Sequence, residues 1–274
     1  MNRPFATRHQ ASTCYRPAQN GYIPQMTAQT PFPHVHIFET ADEAADAVAE
    51  HLLATVKRNP KSVLGLATGQ TPRRVYAKLV DAFHKGHISF REVETFNLDE
   101  YSGLTASHPD SFAAFMQREL FGLANFDPSK INLINGDAED AVAEALRYAG
   151  RLNDNGCIDV QLLGLGTNGH IGFNEPGSAS DSHVRVVDLS DETLSANQPS
   201  LIELATVPEQ AVTMGIADIL NAREIVMLAT GPAKTDAVRR SLREPPSTDC
   251  PASFLGTHHL VHWYLDNDAA ADLG

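Results

Sequence analysis

Apolar positions along this chain follow two alternating rhythms. Short apolar-rich runs at His34–Phe38, Ser62–Ala67 (SVLGLA), Glu94–Leu98, Ile131–Ile134, Val160–Gly164, Glu224–Ala229 (EIVMLA) and Leu260–Leu265 predict strands, several of them apolar enough to be buried on both faces. Between them lie stretches whose apolar residues recur on one helical face. The clearest is Ala41–Lys57 (ADEAADAVAEHLLATVK), with Thr40 as its N-cap. Further helices are predicted over Arg73–Lys85, Ser111–Leu120, Ala138–Asn153 (capped by Asp137), Ile216–Leu220 and Lys234–Leu242, and further strands over Val184–Asp188 and Ala211–Met214. Strand–helix alternation with apolar strands predicts an α/β fold: an open, mostly parallel, Rossmann-like sheet with helices on both faces. One domain is expected over residues 33–268, followed by a short tail at 269–274.

In such sheets ligands bind at the carboxyl ends of the strands. Four unusual segments each follow a predicted strand, and all would lie along one edge. They are TGQTP (68–72), Asp99-Glu100-Tyr101, the loop GLGTNGHIGFNEPG (164–177) and TGPAK (230–234). The third is the densest, with Gly164, Gly166, Gly169, Gly172 and Gly177 interleaved with Asn168, His170, Asn174 and Glu175. Glycine serves where φ must be positive or the backbone must come close to another group. Residues 164–169 also match Gly-x-Gly-x-x-Gly, and Asp188 stands at the end of the next strand, the outline of a dinucleotide site. That site needs a helix to open at the third glycine, so that its N-terminus faces the pyrophosphate. His170–Gly177, with two glycines and Pro176, cannot supply one, and nicotinamide binding is excluded.

Thr68–Pro72 joins a strand to a helix with Pro72 at its start. It is either a plain capping turn or an anion cradle of free N–H groups and Thr hydroxyls. Lys234, at the start of a later helix, is either solvated or holds an anion. Asp99 and Glu100 are either a surface turn with an N-cap or carry a general base whose pKa burial would raise. His258, His259 and His262 have no partner carboxylate at metal spacing, and no HExxH-type set exists, so they read as surface or satisfied core histidines.

Composition narrows the partners. Lys+Arg 21 against Asp+Glu 34 gives a net charge of −13, which argues against nucleic acid or an anionic membrane. An anionic ligand would have to be caught by local donors rather than by the overall field. With 42% hydrophobic residues in 274, a sizeable core is available. Residues 1–32 bear Arg3, Arg8 and Arg16 but no acidic residue and no apolar h-region, and read as a disordered arm rather than a secretory signal. Cys14, Cys157 and Cys250 form no CxxC pair and read as free thiols in a reducing compartment.

Together LGLATGQTP (64–72), FNLDEY (96–101), LGLGTNGHIGFNEPG (163–177), AVTMGIADIL (211–220) and GPAK (231–234) resemble the glucosamine-6-phosphate deaminase family from about residue 36 to 266. Its superfamily also holds 6-phosphogluconolactonases and sugar-phosphate-sensing regulator domains. The resemblance implies that Asp99 moves a proton from C2 to C1 of the open-chain amino sugar. It implies that His170 shuttles a proton between O1 and O5 to open the ring, oriented and tuned by Glu175, with Asn168 beside it. Thr68, Gly69, Gln70, Thr71 and Lys234 would hold the 6-phosphate. The implied protein is a cytoplasmic hydrolase of amino-sugar catabolism, turning glucosamine 6-phosphate into fructose 6-phosphate and ammonia. It would need no metal or other cofactor, would have a small-molecule sugar phosphate as its partner, and could be a homo-oligomer. The family's Asn-Ser-Arg, whose Arg clamps the phosphate, is replaced by Asn197-Gln198-Pro199. The grip would then rest on Thr68–Thr71 and Lys234, or on another Arg such as Arg185. PASFLGTHH (251–259) and the missing Arg look closer to the galactosamine-6-phosphate deaminase branch, which would give tagatose 6-phosphate. A lactonase and a non-catalytic sugar-phosphate sensor are the further alternatives. Val187, where the family's allosteric site has a basic residue, speaks against activation by an acetylated sugar phosphate.

Overall fold

Residues 34–189 and 208–274 are described by a computed structural model, and within them the two rhythms become a parallel sheet with flanking helices. The expected arm at 1–32 and the Asn197-Gln198-Pro199 segment lie outside the described residues. The chain opens with β1 (His34–Phe38) and α1 (Ala41–Arg58), then β2 (Val63–Leu66), α2 (Arg73–His84) and β3 (Glu94–Asn97). β4 (Asp99–Tyr101), α3 (Phe112–Met116), a π-helical turn over Gln117–Phe121, β5 (Ile131–Asn132), α4 (Ala141–Asn155) and β6 (Val160–Gly164) follow. The last part holds β7 (Arg185–Asp188), β8 (Gln210–Thr213), α5 (Ile216–Leu220), β9 (Glu224–Ala229), α6 (Thr235–Arg243) and β10 (Val261–Asp266).

Seven strands pair, all in parallel, in the order β1-β10-β9-β6-β2-β3-β5. The central strands are apolar because both of their faces are covered, and the core gathers Trp263, Tyr76, Tyr148, Phe90 and Phe96 among many aliphatic residues. Tyr148 reaches across from α4 and donates its hydroxyl to the carbonyl of Asn97, at 2.6 Å. That bond pins the end of β3, immediately before the chain changes direction.

The periodicity misses a second sheet. β4, β8 and β7 form a three-stranded antiparallel sheet in the order β4-β8-β7, although Val184–Asp188 and Ala211–Met214 read as part of the alternating pattern and Asp99-Glu100-Tyr101 as the segment after a strand. Leu98 is the crossing point: its N–H bonds to Leu66 of the main sheet and its carbonyl accepts from Met214 after β8, at 3.0 and 2.8 Å. Strand and sheet are separate decisions, since residue pattern sets the first and pairing partners the second.

Helix ends were legible to within a few residues. Thr40 does cap α1, in a full capping box: its Oγ1 accepts from Glu43 N at 3.2 Å, and Glu43 Oε2 accepts from Thr40 N at 3.3 Å. α4, however, starts at Ala141 rather than Ala138, and its cap is Asp140 rather than Asp137. Asp140 Oδ1 takes the N–H groups of Val142 and Ala143, both at 2.9 Å, whereas Asp137 sits in a turn where its own N–H goes to Asn135. Of the cysteines, Cys250 is a buried free thiol but Cys157 is disulfide-bonded, which corrects the expectation of three free thiols. Among the described residues no helix is long and apolar enough to cross a membrane.

Removing the capping oxygen at the start of α1 leaves the backbone N–H of Glu43 without its side-chain acceptor. Thr40→Ala is expected to lower the unfolding free energy by about 1 kcal/mol, read as a fall in the urea midpoint with an unchanged slope.

Candidate active site

The four sequence segments meet in one cavity of about 670 Å³ at the carboxyl ends of β2, β3, β6 and β9. Thr68, Gly69, Gln70, Thr71, Asp99, His170 and Lys234 all line it. Asn168 and Glu175 stand behind His170 rather than on the wall.

Asp99 and Glu100 take different roles because successive residues of a strand point to opposite faces. Glu100 turns toward α3 and accepts from the N–H groups of Phe112 and Ala113, at 2.9 and 2.8 Å, and from Tyr101 N at 3.0 Å. It is the helix-capping carboxylate. Burial nonetheless pushes its pKa up to about 7, with those three N–H groups pulling the other way. Asp99 faces the cavity, 7% exposed, and its oxygens take no hydrogen bond from the described residues. Burial, reinforced by the charge of Glu100, pushes it up to about 8. Once ionised, a carboxyl with little contact with water and no donors is a strong proton acceptor.

The glycine loop brings His170 to the same cavity through close contacts that tolerate no side chain. A Cβ at Gly166 would lie 2.5 Å from the imidazole ring of His170, so the ring rests directly on the Gly166 backbone. Gly172, at φ +56°, passes so near Asp99 that a Cβ there would sit 3.2 Å from Oδ2 and 3.1 Å from Thr213 Oγ1. His170 Nδ1 lies 3.1 Å from Glu175 Oε1, near enough for charge interaction, although the ring nitrogen is not aligned for a hydrogen bond. Asn168 braces this pair: its Nδ2 donates to Glu175 Oε2 at 2.7 Å, and its Oδ1 accepts from the backbone N–H of His170 at 3.1 Å.

Groups whose chemistry suits an anion lie across the cavity. None of the backbone N–H groups from Thr68 to Thr71 bonds to another of the described residues, so they are available to a ligand. Gly69 holds φ +112°, a conformation that opens the turn and that other residues rarely adopt. Lys234 follows a tight turn whose Gly231 N–H is held by the buried carboxylate of Asp266, at 3.0 and 2.9 Å. Half-buried, Lys234 makes no ion pair with the described residues, and burial lowers its pKa.

Arg185, the alternative phosphate clamp, does not line the cavity. It donates to Asn174 Oδ1 at 2.9 Å and to Ser178 Oγ at 3.3 Å, bracing the tail of the glycine loop from outside the cavity. The cavity instead contains two arginines that motif reading passed over, Arg73 and Arg118. They lie over the Phe115 ring, 5.6 and 5.7 Å from its centroid, and both reach Glu119. Arg73 directly follows the TGQTP turn, and Arg118 stands three residues after Phe115. That was the available signal, but neither residue belongs to a recognisable motif. His262 also differs from expectation, because its Nε2 lies 3.2 Å from Glu224 Oε1.

Comparison with known proteins gives a consistent answer. A family model described as glucosamine-6-phosphate isomerases/6-phosphogluconolactonase matches residues 38–263. The chain is 48% identical over 237 residues to a glucosamine-6-phosphate deaminase of Rhodopirellula baltica, covering 86% of this chain and 94% of that one. It is 43% identical over 238 residues to glucosamine-6-phosphate deaminase 1 of Giardia intestinalis, covering 86% and 89%. A solved structure of a monomeric glucosamine-6-phosphate deaminase superposes with a TM-score of 0.83 at 40% identity, over 87% of this chain and 99% of that one. A 6-phosphogluconolactonase from Trypanosoma brucei, at 24% identity and a TM-score of 0.70 over 89% of this chain and all of that one, shares the fold. The expected class of hydrolase is corrected by these relatives, which are described as isomerases and deaminases. The physical reason lies in the site, where the buried carboxyl is suited to moving a proton between carbon atoms.

The raised pKa of Asp99 has a consequence for stability. Folding favours its protonated form, so its contribution is full below the ordinary value of 3.8 and is lost as pH rises through about 8. Urea titrations across that interval are expected to show wild type losing stability with pH more steeply than Asp99→Asn, whose amide does not ionise. Parallel curves would contradict the buried, unpaired state of this carboxyl.

Proposed function

We propose that this chain, which belongs to the glucosamine-6-phosphate isomerase/6-phosphogluconolactonase family, converts glucosamine 6-phosphate into fructose 6-phosphate and ammonia. The observation that carries this reading is Asp99, a buried carboxyl without donors, facing the same cavity as His170 and Lys234. Opening a lactone needs a phosphate site and a His but no base at C2, so Asp99 favours the deaminase over the lactonase. The names of the relatives point the same way.

The 6-phosphate sits in the cradle of Thr68, Gly69, Gln70 and Thr71, with Lys234 as its counter-charge. A lysine already half-desolvated gains more from an anion than one in open water. His170 then takes the proton from the O1 hydroxyl as the C1–O5 bond breaks and gives it to O5, leaving a C1 aldehyde. Glu175 supports the imidazolium formed in transit, and Asn168 holds Glu175 in place. The aldehyde acidifies the C2 hydrogen. Asp99 removes that proton as the C1=C2 double bond forms and O1 takes up the proton that the C2 ammonium gives up. Asp99 then returns its proton to C1 as the nitrogen lone pair forms a C2=N double bond. Water adds at C2, ammonia leaves, and the carbon is left as the ketone of the product.

Burial alone would leave Asp99 mostly protonated at neutral pH, an unusual condition for a base. The substrate supplies the remedy, because an ammonium at C2 beside the carboxyl favours its ionised form. Binding and base activation are thereby coupled.

Ammonia release from glucosamine 6-phosphate, with galactosamine 6-phosphate in parallel, tests the assignment. Wild type is expected to turn over the gluco sugar, and kcat/KM should climb as pH rises through about 8, since the base must be ionised in the free enzyme. Asp99→Asn should lose about 10²–10⁴-fold in kcat. Lys234→Ala should act chiefly on KM. Turnover of the galacto sugar alone would shift the substrate, and turnover of neither would sink the reading.

A further inference from the structure

Away from the cavity, at the amino-terminal ends of the strands, four histidines and a glutamate converge. Glu224 is the first residue of β9, His262 lies near the start of β10, His34 and His36 are on β1, and His51 comes from the α1 helix above them. Their separation in sequence conceals the grouping, since residues 51, 224 and 262 form no motif.

We propose that His51, Glu224 and His262 form a binding site for a divalent transition-metal ion, Zn²⁺ in the first instance. His51 Nε2 lies 2.7 Å and His262 Nε2 3.2 Å from Glu224 Oε1, and the three ligand atoms all lie within 4.8 Å of one another. Tetrahedral zinc with bonds of about 2.0–2.1 Å separates its ligands by about 3.3 Å. His51 and Glu224, 2.7 Å apart, therefore have to part by about 0.6 Å, and the two imidazole nitrogens, within 4.8 Å of each other, have to close by at most about 1.5 Å. Two imidazoles and one carboxylate suit zinc and its neighbours, whereas calcium and magnesium require a shell of oxygen atoms.

The outer contacts favour the same assignment. His51 Nδ1 is 2.8 Å from the hydroxyl of Tyr264, and His262 Nδ1 is 3.3 Å from His36 Nε2. Each ligand ring thus has a partner on the nitrogen that faces away from the ion, the arrangement that fixes tautomer and orientation in metal sites. Stacking of His34 on His262, with centroids 4.6 Å apart, holds the second ring. At neutral pH both imidazoles bind with the ring proton on Nδ1, and Glu224 binds as the carboxylate, so no redox or covalent step is involved. The side chains are 14–17% exposed, which leaves the ion a route from solvent and a fourth position for water. None of the three lines the cavity, so the ion would clamp α1 onto β9 and β10 rather than take part in chemistry.

The test uses the full chain without a histidine tag, stripped with chelator and titrated calorimetrically with ZnCl₂ near neutral pH. The expected result is uptake of one equivalent with a rise in Tm, and no response to MgCl₂. His170→Gln should retain this uptake, which separates it from adventitious binding in the cavity. Glu224→Gln and the double variant His51→Gln/His262→Gln should bind at least about 10–100-fold more weakly while keeping the ammonia-releasing activity of wild type. Co²⁺ added to wild type should give visible absorption bands that Zn²⁺ abolishes, a readout independent of whether the variants fold. Absence of stoichiometric uptake by wild type, or undiminished uptake by folded variants, would overturn the proposal.

Discussion

The cavity depends on how closely a bare backbone can approach two functional side chains. The ring of His170 rests on Gly166, and Gly172 passes Asp99 within van der Waals range of where any Cβ would stand. No other residue type allows both approaches, because even one methyl group at Gly166 would intrude on the imidazole. The glycine density of residues 164–177 is thus a steric requirement of the site. The same loop that could have cradled a pyrophosphate is spent on bringing a histidine and a carboxyl to one wall.

The electrostatics of the site follow from this geometry. The chain carries a net charge of −13, yet its cavity contains Lys234, Arg73, Arg118 and a row of free N–H groups. Local donors oppose the overall field, as an anionic ligand requires. The two arginines share Glu119 and the face of Phe115, so Lys234 is the cavity cation without a carboxylate partner among the described residues. Adjacent carboxylates are separated by the two-residue repeat of a strand, Glu100 satisfied by the N-terminus of α3 and Asp99 left facing the cavity without donors. One position in the chain decides which of them faces a substrate.

That decision is made at Leu98. The chain leaves the parallel sheet there and pairs Asp99 with Thr213 in a second, antiparallel sheet. Composition and periodicity gave no sign of it, because short stretches such as β4 (DEY), β7 (RVVD) and β8 (QAVT) carry no mark of which strand they will pair with. Arg73 and Arg118 were missed for a related reason, as they reach the cavity from helical segments with no motif of their own. Arg185 was misjudged because an arginine near a glycine loop looks alike in sequence whether it faces the ligand or braces the loop from behind.

Local pattern alone determined the alternation of strands and helices in the main sheet, the Thr40 cap, the family resemblance and the segments that would share one edge. These are properties of neighbouring residues, and the physics of capping, periodicity and backbone freedom acts over a few positions. The tertiary structure decided what depends on residues far apart in the chain. It split Asp99 from Glu100, raised both carboxyls by burying them, set Arg185 outside the cavity, and gathered His51, Glu224 and His262 around a single point. Desolvation and charge coupling are set by what surrounds a group in space, and no spacing along a sequence reports that.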